Sequence, residues 1–120
     1  MSYLPPTFDV TEETLAGEVF VLAVRGEIHI ATAPEFSQRL NEAIAGGASA
    51  LLVDMTHVSF IDSTGLSVLL NGLRRITRRR GRMVLVCDNP TVMRLFEVTR
   101  TDETFEILPT REEALERLQG

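Results

Sequence analysis

Val58-Ser-Phe-Ile-Asp-Ser-Thr-Gly-Leu66 is the stretch on which the reading of this chain turns. An apolar run, Leu51-Leu-Val53, lies ahead of it, and from Ser63 onward Leu66, Leu69, Leu70, Leu73 and Ile76 recur at steps of three and four. That is a strand leading into a helix with one apolar stripe, so the spacing predicts a helix from Ser63 to about Arg80, with Gly81 as its left-handed exit. A hydroxyl then sits at a helix N-terminus, where unpaired backbone N–H groups and the positive end of the macrodipole favour an anion such as a phosphate. Asp, Ser and Thr at a helix start are also the commonest caps and need no further role. Capping by Asp62 and modification of Ser63 or Thr64 therefore stand side by side on residue chemistry alone.

Outward from this stretch the chain alternates. Thr7 to Val10 and Glu18 to Arg25 read as strands, the second apolar enough to be central and punctuated by Gly17 and Gly26. Thr32-Ala-Pro-Glu35 has the form of a capping box opening a helix through Phe36, Leu40, Ala43 and Ile44, which Gly46-Gly47 ends. Ala50 to Asp54 is a third strand, and Met83 to Cys87 a fourth. Asn89-Pro90 caps a short helix with Val92, Leu95 and Phe96 on one face. Phe105 to Leu108 is a last strand, and Thr110-Arg-Glu-Glu113 opens a terminal helix through Leu118. Two opening strands followed by strand–helix alternation predict an α/β fold, a mixed and mostly parallel sheet of about four to five strands with about four helices packed on it.

The 120 residues suit one domain, expected over residues 7–118 behind a loose lead-in of residues 1–6 that contains Pro5-Pro6. The single cysteine, Cys87, lies in an apolar run and reads as a buried, reduced side chain. No basic start is followed by an apolar leader, and no run approaches a membrane span, so a cytoplasmic protein without membrane insertion is expected. His29 and His57 have no metal-ligand spacing to each other or to Cys87, no Gly-x-Ser-x-Gly elbow surrounds Ser63, and no phosphate-cradling glycine loop occurs. The expectation is a binding protein with no catalytic residues, no metal and no cofactor.

All twelve basic residues are arginine, against seventeen acidic ones, for a net charge of −5. The charge is unevenly spread: residues 1–73 carry −7, residues 74–100 carry +6 and residues 101–120 carry −4. The arginines from Arg74 to Arg82 lack neighbouring aromatics and sit in an acidic chain, which argues against nucleic acid and for a protein partner with an acidic patch.

Gly26-Glu-Ile-His29, Phe60-Ile-Asp-Ser-Thr-Gly-Leu66, Gly81-Arg-Met-Val-Leu-Val86 and Arg94-Leu-Phe96, in this order, resemble the STAS domain family. The likeness is to its anti-sigma factor antagonists in particular, and it runs from about Thr7 to Leu118. The resemblance implies the STAS fold and a protein that binds an anti-sigma factor, often itself a serine kinase, and so releases a sigma factor for transcription. It also implies that phosphorylation of Ser63, with Thr64 as second choice, ends that binding and that a serine phosphatase restores it. His29, Asp62, Ser63, Thr64, Gly65 and Ser67 are the expected partner-binding residues. A weak homodimer stays open, as do two other roles for the same fold: an accessory module of a membrane transport assembly, or a small-molecule sensor. Two positions depart from the family pattern. His29 stands where relatives usually carry an aspartate close to the phosphorylated serine, and reads either as a loop residue or as part of the switch surface. Arg100 stands where many relatives place a glycine, so either an arginine takes a left-handed exit or the turn differs.

Overall fold

Period-two alternation sorts the strand residues onto two faces of one sheet. In β3, Ala50–Ile61, Leu51, Val53 and Met55 enter one apolar cluster and Leu52 the other; in β4, Arg82–Val86, Met83 and Leu85 face opposite ways from Val84 and Val86. The computed structural model describes residues 8–15 and 17–119. The remaining strands are β1 (Asp9–Leu15), β2 (Val19–Ile28) and β5 (Glu106–Leu108), and the sheet order is β1-β2-β3-β4-β5. β1 is antiparallel to β2, and the other pairs are parallel.

Parallel neighbours need crossovers, and the helices α1 (Ala33–Ala45), α2 (Ser63–Arg78) and α3 (Pro90–Val98) supply them. All three pack on the larger cluster through Phe36, Leu40 and Ile44, through Leu66, Leu69 and Ile76, and through Val92 and Phe96. The terminal helix α4 (Arg111–Gln119) covers the other face with Ala114, beside Leu115 and Leu118. This is the predicted mixed, mostly parallel α/β arrangement, with five strands and four helices among the described residues.

Several expected details come out differently. β1 starts at Asp9 and runs to Leu15, where Thr7 to Val10 was expected; Thr7 and the lead-in of residues 1–6 lie outside the described residues. Its Thr11-Glu-Glu-Thr14 is exposed, so an edge strand held by pairing to β2 carries little apolar signal. β2 continues through Gly26, whose φ of 101° sits at a register shift against β3 and makes it a bulge within the strand. β3 runs on to Ile61 and delivers the chain directly to Asp62. Thr32 does not cap α1 with its side chain: its hydroxyl donates to Glu27 O (2.7 Å) and accepts from His29 N (3.0 Å), tying the β2–α1 loop instead.

α2 leaves through Arg80 (φ 61°), not Gly81, with Arg80 N donating to Thr77 O and Gly81 N to Ile76 O. Gly81 is needed for space, since a Cβ there would lie 2.6 Å from Ile76 Cγ1 and 2.9 Å from the carbonyl of Ser49. Arg100 takes a left-handed exit from α3 at φ 60° and ψ 21°. Asn89 and Thr110 cap as expected, accepting from Thr91 N (2.9 Å) and Glu113 N (3.2 Å).

Candidate functional site

β2 and β3 run side by side, with Ile28 opposite Ile61, and Asp62 N donates to Ile28 O (3.1 Å). The two chain segments that leave these strands, His29–Thr32 and Asp62–Ser63, therefore emerge together at one end of the sheet. Every expected partner-binding residue belongs to one of these segments or to the first turns of α2.

Asp62 is the N-cap of α2. Its Oδ1 accepts from Thr64 N (2.9 Å) and Gly65 N (3.1 Å), while its carbonyl accepts from Leu66 N (3.0 Å). The expected anion-receptive end is thus altered: the amides of Thr64 and Gly65 are already taken by a carboxylate, and an anion on Ser63 meets that negative charge beside it. Ser63, the first residue of α2, is exposed, and Thr64 is half-buried. Gly65 is buried, and a Cβ there would lie 2.6 Å from Ile28 Cγ2 and 2.8 Å from Ile61 Cγ1; the missing side chain lets α2 begin directly on the ends of β2 and β3. Ser67 is exposed one turn further on, its Oγ donating to Ser63 O (3.0 Å).

His29 is half-buried in the adjoining loop. Its Nδ1 accepts from Ala31 N (3.2 Å), which leaves Nε2 to carry the proton in the neutral ring, and Nε2 lies 3.6 Å from Glu27 Oε1. Sequence reasoning missed two apolar residues of this region. Ile30, in the same loop, is 76% exposed, and Phe60, one residue before Ile61, is 42% exposed. For Ile30 a signal was present, since it falls outside any strand or helix that would bury it; for Phe60 there was none, because a register shift against β2 between Val58 and Phe60 breaks the alternation that would have turned it inward.

Away from this end, Asp54 is the only buried charged side chain among the described residues. Arg111, the first residue of α4, donates to its Oδ2 from Nε (3.0 Å) and Nη2 (2.8 Å), and to Glu13 Oε1 from Nη1 (2.8 Å). Burial alone would raise the Asp54 carboxyl; hydrogen bonds from the hydroxyl and amide of Thr56, together with Arg111, outweigh it and hold the group below the usual aspartate value. This cluster fastens α4 to the sheet. Cys87 is buried, and burial raises its thiol. Among the described residues no group of three or more His, Cys, Asp or Glu side chains could hold a metal, and no helix is long and apolar enough to cross a membrane.

Comparison with known proteins gives the family and the fold. The family model described as STAS domain matches residues 11–114. The anti-sigma-B factor antagonist of Listeria monocytogenes is 34% identical over 84 residues, covering 70% of this chain and 74% of its own length. The crystal structure of an anti-sigma factor antagonist from Mycobacterium paratuberculosis superposes with a TM-score of 0.89 at 30% identity, over 98% of each chain. The anti-sigma factor antagonist SpoIIAA in its unphosphorylated form gives a TM-score of 0.73 at 26% identity, over 93% of this chain and 99% of that one.

Proposed function

The chain belongs to the STAS domain family, and from that premise we propose that it is an anti-sigma factor antagonist, switched off by phosphorylation of Ser63. The observation that carries the proposal is the setting of one hydroxyl. Ser63 is exposed at the start of α2, at the end of the sheet where Ile30 and Phe60 also stand exposed. The relatives named above, anti-sigma factor antagonists themselves, support the choice of partner.

A partner docking here gains by covering Ile30 and Phe60 and by pairing with a neutral hydroxyl. A phosphate would add about −1.5 to −2 charges and three strong acceptors at that point. It lies beside the Asp62 carboxylate, which already engages the Thr64 and Gly65 amides, so it meets like charge there. It must be desolvated on docking, or the partner must leave. The fold itself is spared, because Ser63 faces solvent and a phosphate there displaces no packed side chain. Binding of the unphosphorylated form to the anti-sigma factor frees a sigma factor; a serine phosphatase resets the switch. The action takes place in the cytoplasm.

Incubation with a kinase-type anti-sigma factor and Mg-ATP, followed by peptide mass spectrometry, tests the site. A single phosphate on Ser63 is expected, and phosphate on Thr64 alone would refute the assignment. His29 supplies no carboxylate for orienting the hydroxyl, so His29→Asp is expected to speed the reaction. Affinity capture that returns components of a membrane transporter in place of an anti-sigma factor would favour the accessory-module role.

A further inference from the structure

Among the described residues, Arg39, Arg82, Arg111 and Arg117 each meet a carboxylate, at 2.7 to 3.2 Å. Arg74, Arg75, Arg78 and Arg80 are exposed and meet none. Arg79 differs from them, since its Nη1 donates to Ile44 O (2.7 Å) and ties the end of α2 to that of α1. Steps of four, four, three and four place Ser63, Ser67, Asn71, Arg74 and Arg78 on one face of α2, and all five are exposed. At about 1.5 Å per residue the face runs about 22 Å from Ser63 to Arg78, a length that a single interface of ordinary size covers.

We propose that this face of α2 is a second contact surface for the partner that reads Ser63, and that the partner carries an acidic patch which meets Arg74, Arg75 and Arg78. The inference rests on the proposed function for its partner, and on charge for its chemistry. Guanidinium groups pair readily with carboxylates, as Arg82 does with both oxygens of Glu106 and as Arg39, Arg111 and Arg117 do through one oxygen of each carboxylate they meet. A long polyanion such as duplex DNA would also face the acidic remainder of the chain, −7 over residues 1–73 and −4 over residues 101–120. A local acidic patch on a protein avoids it. The arginines lie about 16 to 22 Å from Ser63, beyond the Debye length of about 8 Å at physiological salt, so the two ends of the face act independently. The arginines set capture and its salt dependence in either phosphorylation state, and Ser63 sets retention.

The test uses the double charge reversal Arg74→Glu/Arg78→Glu in the full chain, with a thermal melt confirming that it folds. In calorimetry against the kinase-type anti-sigma factor, at about 50 and about 300 mM salt, the variant is expected to bind about tenfold more weakly at low salt and to lose most of the salt dependence. The same factor is expected in a Ser63→Asp background. Equal affinities and salt slopes for variant and wild type would overturn the arginine surface while leaving the role of Ser63 intact. Should wild type bind no anti-sigma factor, the functional reading fails, and fluorescence anisotropy with a labelled oligoglutamate peptide still decides the surface: salt-sensitive binding lost in the variant supports it, and no binding overturns it. Tighter binding to short duplex DNA than to the peptide would overturn it as well. So would salt-dependent self-association abolished by the variant, which would make the acidic cleft of Glu12, Glu18 and Glu42 on a second copy the occupant.

Discussion

Arg100 ends α3 in the left-handed region at φ 60°, a conformation that costs a side-chain-bearing residue about 1 to 2 kcal/mol and glycine little. An arginine therefore makes the left-handed turn that glycine makes without strain, and bears that strain. Arg100→Gly is expected to raise stability by up to about 1 kcal/mol, less than the strain because glycine also loosens the unfolded chain. Urea denaturation measures it, and a loss of stability would show that the arginine side chain stabilises the turn by more than the strain costs. Arg80 shows why such positions escape sequence reasoning. A glycine stands next to it, and glycine is the usual left-handed residue, yet Gly81 is kept for the close approach of Ile76 and Ser49. By contrast, the caps at Asp62, Asn89 and Thr110 were legible, because a cap is settled by the side chain and amides two or three residues on. Thr32 was not, because its hydroxyl answers to Glu27 and His29 in a loop that sequence spacing does not define.

At the scale of elements, α2 links the core to the candidate switch. Leu69 is fully buried between this helix and the sheet, and Gly72 allows α1 close enough that a Cβ there would lie 2.6 Å from Leu40 Cδ2. Leu69→Ala is expected to cost about 2 to 5 kcal/mol, since the rigid neighbours cannot fully close the cavity. A change under about 0.5 kcal/mol in chemical denaturation would contradict the buried phase of the helix. The stripe of α2 was readable because its period is set within the helix, whereas the polar edge strand β1 was not, its place being fixed by partners from Arg25 back to Val19 on β2. α4 depends on the Asp54–Arg111–Glu13 cluster for its attachment. With the Asp54 carboxyl held low in the folded state, its contribution is complete above the ordinary aspartate value of about 3.9 and is lost as pH falls through the lower folded value. Glu106, held low by Arg82, adds to the loss in the acid range. Asp54→Asn is therefore expected to flatten the fall of stability below about pH 4 in denaturation experiments, and an unchanged acid limb would show that the cluster is not linked to folding.

Across the whole molecule, one end of the sheet gathers the exposed serine, its capping aspartate, the histidine loop and two exposed apolar side chains, while the far end of α2 carries arginines without carboxylate partners. The fold class was readable from strand–helix alternation, and the serine from its place between β3 and α2. Ile30 and Phe60 were harder, because exposure depends on which residues the folded chain leaves uncovered. The central claim is that a neutral hydroxyl at Ser63 permits partner binding and a negative charge there ends it. Calorimetry of Ser63→Ala and Ser63→Asp against the anti-sigma factor tests it most directly. Both variants are expected to fold, with Ser63→Ala binding like wild type and Ser63→Asp at least about tenfold more weakly, a difference of about 1.4 kcal/mol. Equal affinities for the two would contradict the account.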